Sequence, residues 1–194
     1  MLKRQEILTR EAIWPWLAVC GVLALAVILL YLQGRLWICV CGAVYLWSGD
    51  IWSSDNSQHI FDPYSFTHIL HGVVFFWILG RLFASIGLMW RFVMAMVLEA
   101  LWEVIENTEF VIQRYREATA PLDYFGDTIV NSVADMALCG LGFGLAYYLG
   151  FKRSLLFFVV TELVLLLWIR DSLVLNVIML IYPIEAIKQW QVGL

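Results

Sequence analysis

The sequence predicts an all-α membrane protein: one domain over residues 1–194, a single polytopic bundle of about five to six transmembrane helices with one interfacial or re-entrant segment. Composition is the first ground. Of 194 residues, 62% are hydrophobic and 14% charged, against roughly 45–50% and about 25% in soluble domains. Length is the second. A crossing needs roughly 20 apolar residues at about 1.5 Å each, and several stretches supply them. The third is that the ionisable residues inside those stretches fall on helical periods.

The elements follow in order. "IWPWLAVCGVLALAVILLYL" (13–32) is a span. Its apolar region is too long for a cleaved leader, and no small-residue cleavage site precedes a hydrophilic region. "LWICVCGAVYLW" (36–47) is apolar over only 12 residues, which fits an interfacial or re-entrant piece. Spans at 66–84, 89–110 and 127–149 come next. The apolar stretch 154–187 contains "WIRDSL" and reads as two short spans, 154–169 and 172–187, turning at Arg170-Asp171. One tilted helix of about 30 residues competes with that reading, since neither Gly nor Pro marks the turn. No repeat, low-complexity tract or soluble domain interrupts the pattern.

Cys20 and Cys139 lie inside spans, where a small buried thiol is the usual case. Cys39 and Cys41 are two residues apart, a poor spacing for a mutual disulfide and too few ligands for a zinc site.

Lys and Arg near span ends set orientation. With six crossings and the N-terminus inside, Lys3, Arg4, Arg10, Arg81, Arg91, Lys152, Arg153 and Lys188 fall inside, while Arg35, Arg114, Arg116 and Arg170 fall outside. A crossing at 36–47 would even the two sides at six each. The first topology predicts a multi-pass inner-membrane protein with a cytoplasmic N-terminus. The loops with His59, Asp62, Asp123 and Arg170-Asp171 then share the periplasmic face.

The polar residues within the spans point to a site. His68 and His71 lie about 7 and 12 Å along the helix that begins at Asp62-Pro63, three residues apart and on one face. Glu99, Glu103 and Glu106 form one stripe of the next span, with spacings of four and three. Asp127, Asn131 and Asp135 recur every fourth residue in "DYFGDTIVNSVADMALCGLGFG", where Gly140, Gly142 and Gly144 permit close helix packing. Each intramembrane charge costs roughly 2.5–3.5 kcal/mol on insertion scales. Five carboxylates therefore need protons, cationic partners or a metal. His68, His71, Glu106, Asp127 and Asp135 are the candidate metal ligands. Mixed imidazole and carboxylate donors suit Zn, Fe or Mn. Glu99 and Glu103 are the candidate general bases. Arg114, Arg116 and Arg170 at the rim, with Asn131, are candidates for an anionic head group. His59 reads as an interfacial hydrogen-bonder, Asp62 as a helix cap, and Trp14, Trp16, Trp52 and Trp190 as belt anchors. Glu162 and Asn176 read as interhelical hydrogen-bonders.

The strings "SQHIFDPYSFTHILHG", "EALWEVIENTEFVIQRYREAT", "DYFGDTIVNSVAD" and "IRDSLVLNVIMLIYP" resemble an uncharacterised family of bacterial multi-pass inner-membrane proteins over residues 34 to 191. The order His, Glu, Gly-Asp, Asp-Met is also similar to the VanZ-like membrane proteins. "NSVAD" looks like the Asn-x-Ala-Asp element of lipoprotein signal peptidases, but the spacing is one residue too long and the other motifs are missing.

Three functions compete. The first is a metal-dependent hydrolase or transferase acting on a lipid or lipid-linked phosphate. The second is an ion or proton relay through Glu99, Glu103 and Glu106. The third is a structural assembly subunit. The lipid bilayer is the expected partner in each, and no nucleic-acid partner is expected.

Overall fold

The structure is a computed structural model that describes residues 2–118 and 124–193, with side chains from Ile13 onward except Ala118. Asp123 and the side chains of Lys3, Arg4 and Arg10 lie outside the described residues. Among those residues the chain forms seven helices and no strand: α1 (Leu2–Leu32), α2 (Ser65–Leu82), α3 (Leu88–Glu106), α4 (Glu109–Ala118), α5 (Ile129–Ile169), α6 (Leu173–Ile181) and α7 (Glu185–Val192).

The start of α2 is fixed by its own side chains. Asp62 Oδ1 accepts the N–H groups of Tyr64 (2.7 Å) and Ser65 (3.2 Å), and Ser65 Oγ accepts that of Asp62 (3.1 Å). This is a reciprocal cap, with Pro63 where its missing N–H costs nothing. Asp62 therefore caps the turn that leads into α2, two residues ahead of the helix's own N-cap, Tyr64, whose side chain makes no cap bond.

α5 is a hairpin of two helices. Gly150 has φ 69° and ψ 172°, outside the helical region, a conformation that glycine adopts without steric cost. Ser65 Oγ donates to Asp135 (3.0 Å) and Tyr64 OH to Asp171 (3.3 Å). Adjacent residues of α2's first turn thus touch points 36 residues apart in the chain, a separation of about 54 Å in a straight helix. At the far end of α2, Trp77 Nε1 donates to Ser154 Oγ (3.0 Å). Residues 129–149 therefore run parallel to α2 and 151–169 return antiparallel to it.

α2 and the first arm of α5 meet backbone to backbone. A Cβ at Gly72 would strike the carbonyl oxygen of Cys139, and one at Gly142 would strike that of Ile69. Of the expected glycines Gly142 makes this close approach. Gly140 meets only the side chains of Phe92 and Met96, and Gly144 faces open space. α3 packs between α1 and α5 through Val19, Ala26, Val93, Met96, Ala100 and Met136.

Two helices, α1 over Ile13–Leu32 and α2, are long and apolar enough to cross a membrane, or three segments if α5 and α6, bent by 70°, count as one. The sequence predicts five to six. α3 falls outside because Arg91, Glu99, Glu103 and Glu106 lie within its 19 residues. It ends at Glu106, short of the predicted 110. The predicted span 172–187 is two pieces: nine-residue α6, about 13 Å long, then a break at Tyr182-Pro183-Ile184 before α7. The turn at Arg170-Asp171 is present, with Arg170 left-handed at φ 55°, so the single tilted helix is not formed.

Glu162 anchors that turn, accepting the N–H groups of Leu173 (2.9 Å) and Val174 (3.1 Å) at the start of α6. Glu162→Ala leaves these donors unmet and removes a carboxylate from a helix N-terminus, a cost of about 1–2 kcal/mol. Faster hydrogen exchange at Leu173 and Val174 is the expected result. Exchange equal to wild type would sink the assignment.

Residues 33–64 form a helix-free loop over one end of the bundle, here the head end. Residues 36–47 do not cross: Leu36 and Trp37 carbonyls accept from Ile129 and Val130, and Trp47 bridges to Phe61. Contrary to the sequence expectation, Cys39 and Cys41 are joined as a disulfide. A turn closed by Gly42 N–H to the Cys39 carbonyl brings their Cα atoms to 5.1 Å, within bridging range. Cys20 is exposed on α1 rather than buried, whereas Cys139 is buried.

Candidate functional site

α2, α3 and the first arm of α5 enclose a cavity of about 460 Å³ beneath the head-end loop. One end is polar: His68, His71, Glu106, Tyr124, Asp127 and Asp135 line it. The apolar lining is Phe75, Leu98, Leu101, Trp102 and Ile105 with Leu173 and Val177 of α6, and Phe75 and Trp102 pack directly against the His71 ring, with centroids 5.9 and 6.0 Å from its own. Leu98, Leu101, Ile105 and Val177 are also 40–53% exposed on the outer surface. The cavity therefore opens sideways through an apolar rim. Toward the other end of the bundle the space is filled by Leu79, Ala95 and Phe143 with Phe75, Phe76 and Phe92.

The histidines are organised by Glu99. His68 Nδ1 lies 2.6 Å from Glu99 Oε1, and His71 Nδ1 lies 3.0 Å from Oε2. Glu99 is fully buried; its Oε1 faces both rings, with His71 Nδ1 also at 3.2 Å, and its Oε2 faces His71 alone. With both Nδ1 atoms protonated toward it, each Nε2 keeps its lone pair, the arrangement that a carboxylate imposes on metal-binding histidines. His68 Nε2 then faces Asp135, 3.8 Å away. Asp135 is steadied by the Ser65 hydroxyl (3.0 Å).

Asp127 precedes α5 and is positioned from elsewhere. Asn107 Nδ2 donates to its Oδ2 (2.8 Å), Tyr124 OH donates to its Oδ1 (2.9 Å), and its own N–H donates to Asn107 Oδ1 (2.7 Å). Burial pushes the Asp127 carboxyl above the usual carboxylate range, and the hydrogen bonds from Asn107 and Tyr124 oppose that rise. Burial also raises Asp62, aided by repulsion from Asp127. The Tyr115 and Tyr124 phenols are held neutral, first by burial and then by the charges of Glu106 and Asp127.

Three sets of side chains here offer ligand atoms within 4.8 Å of one another: His68, His71 and Glu99; His68, Glu103 and Asp135; Glu103, Glu106 and Asp127. The first is already closed by hydrogen bonds. Neither Glu103 oxygen has a hydrogen-bond partner, nor does Glu106 Oε2. Buried carboxylate oxygens without donors fit a cation.

Seven of the eleven residues expected from the sequence thus converge: Glu99, Glu103, His68, His71, Glu106, Asp127 and Asp135. Glu99 and Glu103 sit behind the cavity wall rather than on it. The other four are engaged elsewhere. Arg114 donates to the Leu180 (2.9 Å) and Ile181 (3.2 Å) carbonyls at the end of α6. Arg116 donates to the Tyr124 carbonyl and Arg170 to that of Trp190. Asn131 reaches the Ile60 carbonyl (3.5 Å). None of the four lines the cavity. His59 is buried against Tyr45, accepting its N–H on Nδ1 (3.3 Å), and Asn176 accepts from Tyr115 OH (3.1 Å). Sequence reasoning missed Asn107, Ser65 and Tyr124. The strings "ENTE" and "DYFGD" hold two of them beside predicted ligands.

The chain matches a family model described as a protein of unknown function, DUF2585, over residues 30–193. It is 46% identical over 186 residues to a UPF0314 protein of Sinorhizobium fredii, covering 95% of this chain and 94% of that one. It is 40% identical over 194 residues to a UPF0314 protein of Paracoccus denitrificans, covering both chains completely. A UPF0314 protein of Sphingopyxis alaskensis is 41% identical over 178 residues, 92% of this chain and 95% of that one. No solved structure matches the chain at a significant level. The likeness to VanZ-like proteins expected from residue order is not shown by these matches.

Proposed function

Since the chain belongs to the DUF2585 family of bacterial proteins, whose description assigns no activity, we propose a function from the cavity: metal-dependent hydrolysis or transfer at a lipid or lipid-linked phosphate. The observation that carries this reading is one cavity lined by both carboxylate and imidazole groups and by apolar side chains that are also exposed on the outer surface. An amphiphile fits it with its head among the ligands and its chain leaving past Leu98, Leu101 and Ile105.

In this reading the protein is a multi-pass inner-membrane protein with its head end at the periplasmic face. α1, α2, α3 and the two arms of α5 cross, while α6 and α7 lie across the head end; five crossings in place of six put Lys188 of α7 on the head side, so the basic residues divide seven inside to five outside. The exposed apolar residues of the loop, among them Trp37, Val40 and Leu46, sit at the lipid head-group level.

His68, Glu103 and Asp135 would hold a divalent cation, with Zn, Fe and Mn suited to the donor set. Such an ion supplies a bound water with its pKa lowered toward 7 and a Lewis acid for the phosphoryl oxygen. The phosphate charge would be met by that ion, since no Lys or Arg is among the described residues that line the cavity. Glu106, on the cavity wall with Oε2 unpartnered, takes the proton of the attacking water. The new oxygen–phosphorus bond forms as the bond to the departing oxygen breaks, and the proton returns to that oxygen. The apolar plug of Leu79, Phe92 and Phe143 argues against an ion relay through the bundle.

The test is turnover of a panel of lipid phosphates, phosphatidate and polyprenyl diphosphate included, by the full chain in liposomes with Mn(II) or Zn(II). Phosphate release is expected, abolished by a chelator. In Glu106→Gln it should fall by roughly 100-fold or more with lipid binding kept. Absence of both release and saturable binding across the panel would overturn the reading.

A further inference from the structure

We propose that the buried carboxylates hold two divalent cations side by side, with Glu103 bridging them. The inference rests on the metal-dependent reading above and concerns how many ions that site takes. The sets His68, Glu103, Asp135 and Glu103, Glu106, Asp127 each offer ligand atoms within 4.8 Å of one another. They share one residue. Glu103 is fully buried, and both its oxygens lack a hydrogen-bond partner. His68 Nδ1, the ring nitrogen 3.3 Å from Oε1, is already committed to Glu99 at 2.6 Å.

Its neighbours are provided for. Glu99 has two imidazoles, Asp127 has Asn107 and Tyr124, and Asp135 has Ser65. Glu103 has only the shared His68 ring nitrogen near one oxygen, and a buried carboxylate so placed takes up either a proton or a cation. Two free oxygens on a residue common to two ligand sets are what a bridging carboxylate requires.

Charge favours the same number. Glu99 is held by two neutral rings, which leave its charge in place, so Glu99, Glu103, Glu106, Asp127 and Asp135 carry five negative charges when ionised. One divalent ion offsets two of them and two ions offset four. Arg35, on the head side of this cluster, spends Nη1 on the Phe125 carbonyl (2.6 Å). Glu106 serves the second ion through its unpartnered Oε2, its other oxygen being held by the Tyr115 hydroxyl; with a second ion bound, that ion would lower the pKa of the attacking water in place of a general base. Two ions about 3.5–4 Å apart would hold the attacking and departing oxygens of an in-line displacement together.

The experiment is a Mn(II) titration of the full chain in mild detergent, stripped by chelator and carrying no polyhistidine tag. Ions per chain are counted by mass spectrometry, and their coupling is read by electron paramagnetic resonance. Two ions with an exchange-coupled spectrum are expected. Asp127→Asn should retain one uncoupled ion, and Glu103→Gln should lose the coupling, with a thermal melt on each variant to establish that it folds. One ion in wild type, or two coupled ions surviving in Asp127→Asn, overturns the bridge. A single ion with lipid-phosphate turnover intact removes the bridge and leaves the proposed function standing. No bound ion removes both.

Discussion

Gly72→Ala is expected to destabilise the protein by about 3 kcal/mol or more, the upper end of the overpacking range, and to lower its Tm in detergent by on the order of 10 °C. The added methyl would meet the Cys139 carbonyl oxygen and, at 2.6 Å, the Phe143 amide nitrogen. A side chain can rotate away from a collision, but helix backbone can yield only by moving the helix. Relief therefore requires α2 and α5 to separate. The histidines ride on one and Asp135 on the other, so His68 Nε2 and Asp135, 3.8 Å apart, would part as well, and metal content should fall with stability. Gly144→Ala is the control. It has nothing within 4 Å, and alanine's better helix propensity, worth roughly 1 kcal/mol, acts without opposition. Differential scanning of both variants decides the matter. If the two melt together, the close crossing at Gly72 is not what holds α2 against α5.

The site was legible in the sequence to the extent that helical period and the scarcity of buried charge govern it. His68 with His71, and Glu99 with Glu103 and Glu106, are pairs and triplets on one helix face, and a carboxylate deep in an apolar helix has few places to go. Asp127 illustrates the limit. It was grouped with Asn131 and Asp135 by a spacing of four, yet it precedes α5 and owes its position to Asn107. Asn131 belongs to the helix, but a spacing of four advances about 40° per step, and its side chain turns to Ile60. The arginines were not legible for a different reason. A guanidinium goes to whichever strong acceptor lies within its long reach, and here these are the carbonyls of Leu180, Ile181 and Trp190, at the ends of helices remote in the chain. The shortness of α6 was readable: Pro183 stands two residues past its end, a stop signal in an otherwise apolar run. The disulfide of Cys39 and Cys41 was not, because it depends on a turn whose Gly42 has φ 76°.

Glu99→Gln is expected to weaken Mn(II) or Zn(II) binding by about 10- to 100-fold, the usual cost of losing a carboxylate behind a ligating histidine. The substitution is nearly isosteric, so the argument is one of protons. Glu99 presents an acceptor to each ring, Oε1 to His68 and Oε2 to His71. A glutamine presents one oxygen and one amide group. Whichever Nδ1 faces the amide must become an acceptor, which moves that ring's proton to Nε2 and removes the lone pair that would bind the ion. His71 Nδ1 lies within reach of both oxygens, at 3.0 and 3.2 Å, and can keep the amide oxygen, so the ring that switches is His68, which faces Oε1 alone and is the imidazole of the ion set. Nitrogen chemical shifts should then report one imidazole in each tautomer, against two Nδ1–H rings in wild type. His71→Ala separates the contributions of the two rings. Should it bind metal as wild type does while Glu99→Gln does not, His71 is a neighbour of the site and His68 its single imidazole ligand. If Glu99→Gln keeps both wild-type affinity and wild-type tautomers, Glu99 does not set the orientation of either ring, and the case for a metal at this end of the cavity loses its main geometric support.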